Sequence, residues 1–179
     1  MEQPLIPDGR VFAAVKPPID VVAAVEDRLG SVAIPGKRVP PENWHVTLRF
    51  IGETEPVAYE RWLANLDALP KPSPFRLALG ELGAFPRPAR ATVLWVGVHG
   101  EGITGLAEVA DDAAEASGLG REERPFRPHL TVARIRPPED VRHQIEARAG
   151  EERLSFRVTG FHVMAAVGGR YRVYETFEL

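Results

Sequence analysis

The order strand, helix, strand, helix, strand occurs twice along this 179-residue chain, the two copies standing at a nearly constant offset of 84 residues. Apolar periodicity marks the elements. In the first copy Arg10–Val15 reads as a strand, Ile19–Leu29 as a helix stopping at Gly30, Trp44–Ile51 as an alternating strand, Val57–Leu69 as a helix and Phe75–Leu82 as a third strand. In the second, Ala91–Val98, Ile103–Ser117, His129–Arg136, Asp140–Ala149 and Leu154–Val167 repeat that order, the last as one long strand. Gly168-Gly169 predicts a hairpin turn into a closing strand over 170–179. A unit of this kind buries the apolar face of a small sheet under its own helices, so two copies predict an α+β fold with two pseudo-symmetric sheet-plus-helix lobes around a central cleft. The expected organisation is one bilobed domain over 1–179, with the repeat spanning about 10–83 and 91–167.

Each copy carries the same short motif at the same place: His45-Val46-Thr47-Leu48 in the first and His129-Leu130-Thr131-Val132 in the second. With 5 histidines and 7 threonines in the chain, chance supplies a His-x-Thr about 0.2 times, so a matched pair points to function. His99, His143 and His162 have no threonine two places on. Side chains alternate along a strand, so His and Thr two apart share one face while the apolar residue between them packs on the other. Two such strands facing each other across a cleft bring two imidazoles and two hydroxyls together. Imidazole titrates near neutrality, so one ring takes a proton from water while the other, protonated, donates to a departing oxygen. The hydroxyls of Thr47 and Thr131 donate to non-bridging phosphate oxygens.

Other residue classes narrow the chemistry. Without cysteine the chain has no disulfide, thiolate zinc site or cysteine nucleophile. Metal ligation is the competing use of two histidines, but the strand faces set threonine beside each rather than a carboxylate or a third histidine; neither a metal nor another cofactor is expected. A formal net charge of -3 excludes a protein that coats nucleic acid through many phosphates, so phosphate binding is expected to be local. No run approaches the roughly 18 apolar residues of a membrane span. The stretch Met1–Gly9 lacks the basic start and apolar run of a secretory leader, and the expected location is cytoplasmic, as a monomer.

On these residues the chain resembles the 2H phosphoesterases, named for two His-x-Thr-x motifs, and within them the RNA 2',3'-cyclic phosphodiesterase branch, also called 2'-5' RNA ligase-like. The similarity extends through Trp44–Glu53, Gly83–Val98 with Phe85-Pro86 and Val93-Leu94-Trp95, Phe126–Arg134 and the closing hairpin with Tyr171. It implies the bilobed 2H fold and hydrolysis of an RNA or nucleotide 2',3'-cyclic phosphate to a 2'-phosphomonoester without metal. By motif position it implies His45 as proton donor, His129 as proton acceptor, and Thr47 and Thr131 as phosphate holders; the residues alone do not say which histidine is acid and which base. Arg134 matches the arginine that closes the second motif block and is expected near the phosphate, although plain alternation sets it with Leu130 and Val132 on the packing face unless the strand bulges near Ala133.

Arg49 counts onto the face of His45 and Thr47, a further candidate for phosphate contact. Phe50, Phe126 and Trp44 are candidates for stacking on a base, and the run Phe85–Arg90 for a loop bordering the cleft. Two departures from the family pattern are Val132, where leucine is usual, and Ala165-Ala166 after Met164. Alternative functions are a cyclic phosphodiesterase of small nucleotides, reversible 2'-5' RNA ligation, and a module that binds an RNA end without turnover.

Overall fold

The computed structural model describes Pro7 and residues 9–179, so most of the Met1–Gly9 stretch read above lies outside the described residues. The chain forms β1 (Arg10–Val15), α1 (Ile19–Gly30), a two-residue β2 (Lys37–Arg38), a 3-10 turn (Pro41–Asn43), β3 (Val46–Gly52), α2 (Pro56–Ala68), β4 (Phe75–Arg87), β5 (Arg90–His99), α3 (Gly102–Ala116), β6 (His129–Glu139), α4 (Arg142–Glu146), β7 (Leu154–Val158), β8 (Gly160–Val167) and β9 (Arg170–Glu178). The class is α+β, as expected. No helix among the described residues is long and apolar enough to cross a membrane, which says nothing of strands.

The strands lie in the order β7-β4-β5-β6-β3-β1-β8-β9, with β2 against β6. β3 and β6 meet through a single partner pair, Val46 and Leu130, and from that joint the order runs out symmetrically, through β1 and β8 on one side and through β5 and β4 on the other. One face of the sheet packs the core. Leu77, Leu94, Leu130, Ile135 and Phe161 are fully buried there, and Trp62 and Leu66 of α2 and Leu106 and Ala110 of α3 cover them. The helix-to-helix seam is tied by the Trp62 indole N–H, which donates to the Ala110 carbonyl at 3.3 Å.

Three expectations change. The expected single strand Leu154–Val167 breaks at Thr159: β7 pairs with β4 in one half-sheet and β8 with β1 in the other, so the chain passes between the halves without turning back. The third strand of each sequence copy therefore extends the other copy's sheet. The expected helix Asp140–Ala149 shrinks to five residues, because its apolar stripe supplies one buried residue, Val141, and a partly buried Ile145. Phe75–Leu82 continues to Arg87 through an irregularity between Leu79 and Leu82, so Phe85–Arg90 is the tip of the β4–β5 hairpin and not a free loop. The Gly168-Gly169 turn forms as read, both residues at positive φ (57° and 77°), the geometry a two-residue hairpin demands.

Candidate active site

The Val46–Leu130 pair places the motifs. Antiparallel counting from it sets His45 beside Thr131 and Thr47 beside His129, all four on one face, while the two apolar residues between them bury completely on the other. The motif strands are thus neighbours at the joint of the two half-sheets rather than opposite walls of a cleft. In a regular antiparallel pair directly opposed Cβ atoms lie about 5 Å apart and diagonal neighbours about 7–8 Å, the scale this register sets for the two histidines.

Each imidazole is fixed in the same way. His45 Nδ1–H donates to the Asn43 carbonyl at 2.8 Å and His129 Nδ1–H to the Arg127 carbonyl at 2.7 Å, in both cases two residues back, which leaves each Nε2 to the site. Aromatic rings bracket both. His45 has Phe12 at 4.7 Å and Tyr171 edge-on at 5.0 Å between centroids; His129 has Phe85 edge-on at 4.9 Å and Trp95 at 6.2 Å. Burial holds the His45 imidazole below its ordinary pKa; the Asn43 carbonyl opposes this, and the charges of Lys16, Arg134 and His129 add to the depression.

A bulge decides which further residues join. Along β6, Val132 and Ala133 are both buried and Arg134 is exposed; the pairing with β5 slips at that point, Leu94 facing Ala133 while Trp95 faces Thr131. The extra residue turns Arg134 back to the face of His129 and Thr131, and its charge reaches His45. The same slip occurs in β3, where Ala13 faces Arg49 and Ala14 faces Thr47. It corrects the reading of Arg49. That side chain is 9% exposed, donates to Asp111 Oδ1 at 2.7 Å, to the Phe50 carbonyl at 2.6 Å and to the Gly120 carbonyl at 2.9 Å, and so is committed beneath the site. Phe50 takes the outward position instead, 43% exposed.

A cavity of about 610 Å³ opens beside Thr47 and His129, with Phe50, Phe85, Phe126 and Arg127 on its wall. Trp44 stays out of it: the ring is buried and its Nε1–H donates to the Val39 carbonyl at 3.0 Å. Phe12, Lys16 and, as neighbours of a histidine, Phe85 and Trp95 were not singled out by sequence pattern. Their signal was faint, since β1 is buried on both faces and shows no clean alternation. Among the described residues no group of three or more His, Asp or Glu side chains could hold a metal ion.

A curled antiparallel sheet with two His-x-Thr strands paired at its joint defines a two-histidine phosphoesterase architecture. The chain belongs to the 2'-5' RNA ligase superfamily, whose family model matches residues 20–170. A protein of Aquifex aeolicus named RNA 2',3'-cyclic phosphodiesterase is 34% identical over 158 residues, which cover 82% of this chain and 83% of that one. An Aeropyrum pernix protein of the same name is 42% identical over 119 residues, 64% of this chain and 66% of its own length. A crystal structure from Thermus thermophilus superposes with a TM-score of 0.76 at 30% identity, covering 95% of this chain and 97% of that one. Escherichia coli LigT shares the fold, with a TM-score of 0.77 at 24% identity and coverage of 96% and 98%.

Proposed function

We propose that this chain hydrolyses 2',3'-cyclic phosphate at RNA ends to a 2'-phosphomonoester, by acid–base catalysis from His45 and His129. The observation that carries the reading is the diagonal placement of two imidazoles with both Nε2 atoms turned to one face and a threonine beside each. A span of about 7–8 Å fits one hydrogen bond on either side of an in-line displacement at phosphorus. The names of the curated relatives support the same reaction.

In this reading the cyclic phosphate lies between the motifs, its non-bridging oxygens accepting from Thr47 and Thr131. His129 takes a proton from the attacking water as the new P–O bond forms. The P–O3' bond breaks, and His45 gives its proton to the 3' oxygen, leaving a 2'-phosphate and a free 3'-hydroxyl. Arg134 neutralises charge that builds on the phosphoryl oxygens. The terminal nucleoside enters the cavity beside Thr47, where Phe50 and Phe126 offer faces for a base. The whole of 1–179 acts as one unit, and no step draws on a metal.

The test is a short RNA ending in 2',3'-cyclic phosphate, incubated with chelator and with wild type, His45→Ala or His129→Ala. Wild type alone is expected to yield the 2'-phosphate, each substitution costing about 10²–10⁴ in rate. Untouched RNA with wild type would overturn the reading, as would full activity in either variant.

A further inference from the structure

On the other side of His45 from the nucleoside cavity lies a second hollow, of about 530 Å³, that the reaction above does not use. Its wall includes Lys16, Arg157, His162, Thr176 and Glu178. The sheet register makes it continuous with the site. Val15 pairs with Val46, so Lys16, the next residue, stands across from His45 one strand away. Ala14 pairs with His162 and His162 with Thr176, which carries the row on across β8 and β9. Lys16 lies close enough to both histidines for its charge to be felt at each.

The groups are arranged as an anion site would be. His162 is held by a 2.9 Å hydrogen bond between its Nδ1 and the Thr176 hydroxyl, which fixes the ring and leaves Nε2 for a ligand. Arg157 of β7 stands directly opposite Arg76 of β4, so both guanidinium groups leave the sheet on the same face. Both are exposed, and among the described residues neither has a carboxylate partner. Like charges directly opposed on a sheet cost stability unless an anion lies between or beside them. Among the described residues Lys16 has no carboxylate partner either; its ammonium donates to the Glu42 carbonyl at 3.3 Å. In a chain of net charge -3, Lys16, Arg157 and a fixed imidazole on the wall of one hollow next to His45, with Arg76 paired to Arg157, are a local concentration of positive charge.

We infer that this hollow holds the phosphodiester backbone of the RNA just upstream of its cyclic end, so that the enzyme reads an RNA strand and not only a terminal nucleotide. The inference rests on the reaction proposed above. The terminal nucleoside occupies the cavity on the Thr47 side, the cyclic phosphate lies at the joint, and the preceding phosphates run over Lys16 toward Arg157 and Arg76. Glu178, also on the wall and paired with Gly160, repels an anion and limits how far the strand follows the hollow.

The experiment separates the groove from the reaction by using a ligand that does not turn over. A dye-labelled tetraribonucleotide ending in a 2'-phosphate is titrated by fluorescence anisotropy against wild type, Arg157→Glu, the milder Arg157→Gln, and Arg61→Glu, which makes the same charge change on the exposed face of α2. The expected result is binding tighter than that of a nucleoside 2'-monophosphate, weakened about tenfold by Arg157→Glu, less by Arg157→Gln, and about twofold or less by Arg61→Glu. The salt dependence of binding becomes shallower in the Arg157 variants. Equal weakening by Arg157→Glu and Arg61→Glu overturns the inference, as does RNA that binds no better than the mononucleotide. RNA that binds through Arg157 to a wild type that leaves cyclic ends intact would sink the reaction and leave the groove standing.

Discussion

At the scale of single residues the proposed chemistry turns on two histidines that are alike in sequence and unlike in surroundings. Both donate Nδ1–H to a carbonyl two residues back, yet burial and the cations around His45 depress its pKa. A donor must carry its proton. Because the His45 pKa is lowered, the protonated fraction falls as pH rises through a value below that of ordinary imidazole, while the acceptor must be neutral and loses function as pH falls. The expected kcat/KM profile is a bell whose two limbs are the apparent pKa values of the pair. Lys16→Gln removes one charge that depresses His45 and is expected to shift the bell upward in pH. A bell that stays in place in the variant, or that moves down, would show that Lys16 does not act on the proton donor.

Elements explain why some of the site was legible and some was not. The His-x-Thr spacing reports a face directly, because a strand alternates, and so both motif residues were readable from four letters each. Alternation fails at a bulge, and β3 and β6 bulge just after their threonines. One inserted residue exchanges the roles of Arg49 and Phe50 and returns Arg134 to the site; only the pairing with β1 and β5 reveals it. The starts of β1, β4 and β6 and the Gly168-Gly169 hairpin followed from local pattern, whereas the extension of β4 to Arg87 and the break at Thr159 did not, since Leu154–Val167 is apolar and extended on both sides of it. The buried Arg49 locks β3 to α3 and to the chain at Gly120. Arg49→Met strands Asp111, 16% exposed, with the more distant Arg121 at 3.5 Å and the Glu122 amide. A loss of about 2–3 kcal/mol in denaturant unfolding is expected. Arg142→Ala, which removes an exposed pair with Asp140, is expected to leave the midpoint where it was. Equal effects of the two would show that the Arg49 network carries no special share of stability.

For the whole molecule, the exchange of third strands matters more than the repeat itself. β4 follows the first motif in sequence but pairs with β5 and β7, while β8 follows the second motif and pairs with β1 and β9. Each half-sheet therefore has a central strand supplied by the other copy, and the chain crosses between halves at Thr159 with no linker to separate them. Removing either copy would strip the other of a strand whose buried residues, Leu77 and Leu79 or Phe161 and Val163, belong to the common core. Two lobes built this way cannot unfold one after the other: opening one half exposes the apolar face of a strand that the other half needs. A single cooperative transition is expected, with calorimetric and van't Hoff enthalpies equal. A chain cut after Ala89 is expected to remain unfolded, because β4 would lose both of its partners at once. Two resolved transitions in the intact protein, or a dispersed amide spectrum from the 1–89 fragment, would mean that the halves are independent units joined only at Val46 and Leu130. His45 and His129 straddle that joint, so a cooperative fold also implies that the two histidines keep their separation until the whole molecule unfolds.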